Sequence, residues 1–105
     1  MVLVSALSFA TASYILSVHH KMSGKDIAKI FDNFTKTCRV TPIDSQTVDE
    51  VLASDFSDFE DAMQYYSALR EQADVIITHN KKDYEASHIP VYEPQEFLDL
   101  LTRIP

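Results

Sequence analysis

Glycine is nearly missing from this chain: Gly24 is the only one in 105 residues, where average usage would give roughly seven. Phosphate-binding loops of the P-loop and dinucleotide types need several glycines, so both are excluded. Cysteine is equally scarce. A lone Cys38 cannot close an internal disulfide, which suits a reducing cytoplasm, and it removes zinc sites built on several cysteines. Bases are few, nine Lys and Arg against sixteen acids, for a net charge of −7. That balance disfavours a protein that coats nucleic acid by charge alone. It suits a basic partner or a site that gathers divalent cations. There is no His-x-x-x-His pair and no Gly-x-Ser-x-Gly elbow, so zinc-helix and α/β-hydrolase chemistry lack their signatures. Adjacent His19 and His20 point about 100° apart on a helix and cannot chelate one ion together. The uncharged run Met1–Val18 is broken by five hydroxyl residues and has no basic residue before it. It therefore reads as a buried strand and helix, with no signal peptide and no membrane span.

What remains is an ordinary globular composition, 46% hydrophobic and 24% charged, of a size that makes one domain over 1–105. A strand fragment at Met1–Ser5 leads into a helix over Ala6–His20 that is apolar on most sides and is expected to be buried. A second helix over Lys25–Lys36 places Ile27, Ile30, Phe31 and Phe34 on one face. Cys38–Ile43 reads as a strand, and Asp44 or Ser45 caps a short helix. Ser57 and Glu60 form a capping box, opening a helix to about Gln72 with Phe59, Met63, Tyr66 and Leu69 as expected core. Val75-Ile76-Ile77 is a β-branched strand, Pro90-Val91-Tyr92 a short one, and Pro94 starts a last helix. Helices separating buried strands imply crossovers. The expected class is α/β, three-layer α/β/α with a parallel sheet, whose sites lie past the carboxyl ends of the strands.

Two groups of residues offer chemistry. Asp58 and Asp61 share one face of a helix start, and paired carboxylates call for a proton or a hard divalent ion. The same acids also serve plainly as helix caps and dipole partners. The segment Thr78-His79-Asn80-Lys81-Lys82-Asp83-Tyr84 follows the clearest strand. It offers a hydroxyl, a carbonyl and a carboxylate, with Lys81 and Lys82 as phosphate contacts, or it is an ordinary polar turn. Charge is segregated. Asp44, Asp49, Glu50, Asp55, Asp58, Glu60 and Asp61 precede Leu69 without a single Lys or Arg, whereas Lys21–Arg39 carries five bases and two acids.

These groups stand in the order and spacing of a known family. The run from Asp58 to Pro90, DFEDAMQYYSALREQADVIITHNKKDYEASHIP, resembles the C-terminal half of a PIN domain, most of all the toxin-like branch of bacterial toxin–antitoxin pairs. The acid Asp61 opens a helix before Ala62 and Ala68. Thr78, Asn80, Asp83 and Tyr84 end a strand in the family manner. Ile89-Pro90-Val91 and Pro94-Gln95-Glu96-Phe97-Leu98 follow, and Val4–Ala10 is similar to the family's second strand and next helix.

The resemblance implies a ribonuclease dependent on Mg²⁺ or Mn²⁺, with RNA as substrate. By the same resemblance Asp61 and Asp83 are catalytic metal ligands. Asp58 and Asn80 are supporting ligands, and Thr78 orients water or a carboxylate. Two features depart from the family. Its first strand, ending in Asp-Thr-Asn, has no counterpart here, and Thr11 stands where many members have Glu. Two of the four family acids are thus missing, which implies an N-terminally truncated domain without the first strand and first helices, and little hydrolysis. The alternative is a non-catalytic remnant or interaction module that binds an antitoxin-like protein. A gap in the sheet further implies a homo-oligomer.

Overall fold

Ser5 decides where the first helix begins. Its hydroxyl accepts the Ser8 N–H at 3.2 Å, so the strand β1 (Leu3–Ser5) turns directly into α1 (Ala6–Val18). Ser23 does the same for α2 (Gly24–Phe34), accepting from the Asp26 N–H at 3.2 Å. Such caps satisfy backbone donors that a helix start leaves free. The computed structural model describes residues 1–103, and the chain forms two compact units, Met1–Asp44 and Ser45–Pro105.

In the first unit β1 pairs in parallel with β2 (Arg39–Thr41), Val4 opposite Val40. Phe9 of α1 meets Phe31 edge-on at 5.2 Å and Phe34 at 6.2 Å, the favoured geometry for aromatic pairs. Ile27 is the one buried hydrophobic residue described in this unit. The expectation that α1 is buried is not met: none of its thirteen residues is buried, and Tyr14, Ile15 and Val18 are exposed. A helix apolar all round needs cover on every side, and α1 receives it only along the line of Phe9.

The second unit contains α3 (Ser45–Leu52), α4 (Phe59–Arg70), β3 (Ile76–Ile77), a 3-10 turn (Lys81–Tyr84), β4 (Val91–Tyr92) and α5 (Pro94–Thr102). Strands β3 and β4 pair in parallel, Ile76 opposite Val91. Parallel pairs joined through helices make the chain α/β. Arg70 ties α4 to α3: its guanidinium donates to Thr47 Oγ1 at 3.1 Å and to Glu50 Oε1 at 3.0 Å. Thr47 is completely buried, and this bond helps to satisfy its hydroxyl. The core is Tyr65, Tyr84 and Ile89, with Phe56, Tyr66, Ala68, Ile76 and Val91 packed against it. Phe56 and Tyr65 stand 4.8 Å apart. The Tyr65 hydroxyl accepts the His88 N–H at 3.1 Å, which lets a tyrosine be buried without an idle polar atom.

Two readings of α4 are corrected. Its cap is Asp58, not Ser57, with Oδ1 accepting the Asp61 N–H at 2.9 Å. Its buried residues are Ala62, Tyr65 and Ser67, whereas Phe59 and Leu69 are exposed. The first follows from the helix starting one residue later than the Ser57 box would have it; the second is decided by what packs opposite the helix. Where it ends, Gln72 adopts φ 58° and the Ala73 N–H bonds to Ala68 C=O at 3.0 Å. Lys21 adopts φ 54° after α1, with the Met22 N–H on Leu16 C=O. These are left-handed helix terminations that glycine usually supplies. A chain with a single glycine fills them with ordinary side chains.

Candidate functional site

The site grows from the first turn of α4. Asp58 spends one carboxylate oxygen on the cap, and Glu60 and Asp61 follow within the turn. Acids belong here on electrostatic grounds, since the exposed N–H groups give this end partial positive charge.

The second half comes from the segment after β3. The Thr78 hydroxyl accepts the Asn80 N–H at 3.1 Å, and the Asn80 carbonyl accepts the Asp83 N–H at 2.9 Å. Thr78 and Asn80 thus shape the turn. The 3-10 geometry then drives Tyr84 into the core, with Phe56 6.3 Å away edge-on. Burying Tyr84 leaves its neighbour Asp83 exposed beside α4.

The electrostatics reports the encounter. The Asp61 carboxyl is raised above its usual value, first by partial burial, then by the charges of Asp58, Asp83 and Glu60, and by hydrogen bonding with the Asp58 side chain. The Tyr84 phenol is pushed up to about 12, again first by burial and then by Asp61, Asp83, Glu60 and Asp58. Four carboxylates from two separate segments therefore share one field. Every charge acting on Asp61 raises it, the condition that a hard cation with oxygen ligands relieves. Among the described residues no group of three or more His, Cys, Asp or Glu is disposed to hold an ion. The residues fit the weaker arrangement in which a cation takes one or two carboxylates and fills its remaining positions with water and phosphate.

The two lysines diverge. Lys81 Nζ donates to both oxygens of Glu96, at 3.1 and 3.2 Å, and Glu96 Oε1 also receives the Glu93 N–H at 2.8 Å at the start of α5. The Glu96 carboxyl is held below its ordinary value by that backbone bond and by Lys81. Lys82 is exposed. A groove of about 780 Å³ runs along the turn, with His79, Asn80, Lys82 and Ser87 among its walls.

Sequence reasoning brought Asp58, Asp61, Thr78, Asn80 and Asp83 to attention; it read Glu60 only as part of a capping box and Tyr84 only as the aromatic of the family motif, without its burial. The available signal was an aromatic residue directly after the second acid, since such a residue must bury and so fixes where the acid points. Nor did it find Glu96 as the partner of Lys81.

Among the described residues no helix is long and apolar enough to cross a membrane. A model of the PIN domain family matches residues 1–82. The match takes in Asp58, Asp61, Thr78 and Asn80 and ends one residue before Asp83. No curated protein and no solved structure matches the chain.

Proposed function

The chain belongs to the PIN domain family, and on that premise we propose that its second unit holds one divalent cation, Mg²⁺ or Mn²⁺, on Asp61 and Asp83 and engages RNA. The observation that supports this most is the approach of Asp83 to the first turn of α4, in the common field of Asp61. Asp58 supports from the cap by bonding to Asp61, and Thr78 and Asn80 hold the turn that carries Asp83. Lys82 contacts phosphate. Lys81 does so once a phosphate displaces Glu96, its partner in an exposed, solvent-screened ion pair. A bound cation would lower the pKa of a water and stabilise charge on the phosphodiester. The residues that resemble the family supply two of its four acids, so hydrolysis by this chain is weak. The proposed setting is the toxin-like branch and a reducing cytoplasm.

A second reading, an interaction module for an antitoxin-like protein or a second copy of the chain, draws on the exposed Val2, Ile30, Phe34 and Val40 of the first unit.

The test is Mn²⁺ binding by electron paramagnetic resonance, alongside cleavage of a labelled RNA. Wild type should bind Mn²⁺, and Asp61→Asn and Asp83→Asn should each weaken binding by about tenfold or more, with cleavage near background throughout. Unchanged binding in both variants overturns the cation site and leaves the interaction module. RNA cleavage that needs Mn²⁺ and vanishes in Asp61→Asn overturns the weak-hydrolysis part alone.

A further inference from the structure

Lys81 of the 3-10 turn and Glu96 of the first turn of α5 are held unequally. The Lys81 ammonium donates to both carboxylate oxygens, at 3.1 and 3.2 Å, so the carboxylate stands where two phosphate oxygens would stand. Glu96 Oε1 also accepts the Glu93 N–H at 2.8 Å, as part of the capping box of a helix opened by Pro94. That backbone bond fixes the carboxylate whether or not a lysine is near. Lys81 reaches it on a flexible four-carbon stem. The two side chains are 45% and 47% exposed, so a solvent anion can reach the pair, and such pairs hold weakly. Lys81 also lines the groove along the turn, together with His79, Asn80 and Lys82. The groove wall thus carries an ammonium engaged by an acid that another element anchors.

Resting on the RNA reading given above, we propose that Glu96 gates a phosphate subsite at Lys81. The carboxylate fills the subsite until a strand of RNA, held at Lys82, brings a neighbouring phosphate to displace it. The competition is selective. Glu96 belongs to the same chain, so it competes at a high effective concentration against a free phosphate ion. A phosphate on a strand already held by Lys82 has the same advantage and can win. The gate therefore admits a polyanion and excludes single anions. The backbone bond keeps Glu96 in place, ready to recapture Lys81 when the strand leaves. The cap itself does not require charge, because glutamine at this position accepts the same Glu93 N–H. The negative charge is what competes with phosphate.

Glu96→Gln keeps the cap and removes the competing charge. The probe is a fluorescein-labelled oligouridylate, read by anisotropy in metal-free buffer so that the cation site takes no part. Glu96→Gln should bind it more tightly than wild type by up to about fivefold, the most that an exposed ion pair holds back. In the Lys81→Ala background the same substitution should gain clearly less, because the subsite is gone; the double-mutant cycle isolates this coupling. Equal gains in both backgrounds would mean that Glu96 acts only as a distant charge, and they overturn the inference. A second measurement needs no variant. In wild type, the Glu96 carboxyl ¹³C resonance should move as oligouridylate is added and stay in place with inorganic phosphate at the same ionic strength. A resonance that never moves, or that moves with inorganic phosphate too, overturns the selective gate. Wild-type binding that Lys82→Ala weakens, with no gain in Glu96→Gln, leaves the RNA reading standing and overturns the gate alone. No binding by wild type or by Glu96→Gln overturns both.

Discussion

The two units carry similar apolar side chains and use them differently. Among the described apolar residues, Val51, Ala62, Tyr65, Tyr84 and Ile89 are buried in the second, and Ile27 in the first. The first unit does not lack hydrophobic residues, since α1 is apolar almost all round. It lacks surfaces to set against them. Burial is a property of a pair of faces, and stabilisation scales with area removed from water rather than with composition. The second unit meets this with an aromatic cluster in which each ring touches another, and its tyrosine at the centre has a bonded hydroxyl. That difference explains why the proposed site lies where it does: carboxylates that repel one another must be held by something rigid, and the Tyr65–Tyr84 packing is the rigid part.

The largest effect should come from the core itself. Tyr65→Ala should cost about 3–5 kcal/mol in urea denaturation followed by circular dichroism. Phe9→Ala, at the half-covered contact of the first unit, should cost about half as much. Equal costs would break the comparison, because they would mean that the first unit is as well packed as the second.

Next come the left-handed positions. Lys21→Gly and Gln72→Gly each remove a side chain from a conformation that costs ordinary residues about 1 kcal/mol, so each should raise stability by up to about that amount. Similar gains in both units would show that helix termination, unlike core packing, does not distinguish them. A loss at either position would refute the left-handed assignment there.

The smallest effect concerns acid. Asp61 has a folded pKa above its ordinary 3.8. In the window from 3.8 up to that raised value, the folded state binds more protons than the unfolded one. The contribution of Asp61 is therefore most favourable below 3.8 and is lost as pH rises through the folded value. The stability difference between Asp61→Asn and wild type should accordingly shift in favour of wild type as pH falls from 7 toward 4. Glu96 runs the opposite way: its folded pKa is lowered, so its contribution is present above its usual 4.5 and is lost on acidification through the folded value. A flat profile in Asp61→Asn minus wild type would mean that the four carboxylates do not share a field.

Much of the order of elements was legible. The strand at Ile76–Ile77 and the helix opened by Pro94 follow from local chemistry: β-branched residues and a fixed φ. The candidate residues were legible too, because Asp61 and Asp83 stand in a recognisable spacing. Three things were not. The choice of Asp58 over Ser57 as cap turns on a one-residue register that either side chain could satisfy. The inward face of α4, with Ala62, Tyr65 and Ser67 in place of Phe59 and Leu69, was set by the elements that pack against it. The exposure of α1 was invisible because periodicity describes a helix and not what lies opposite it.

The sequence by itself determined which residues could carry charge, cap helices and donate to phosphate, because those properties belong to single side chains and their near neighbours. It also determined that glycine would be unavailable where the backbone turns left-handed, at Lys21 and Gln72. Only the tertiary structure decided that the turn carrying Asp83 packs against α4, that Lys81 turns to Glu96 and that the Tyr84 ring is buried. Each of these joins segments distant along the chain. The distance is closed by burying Tyr84 against Tyr65 and Phe56, and the area that burial removes from water depends on which faces meet.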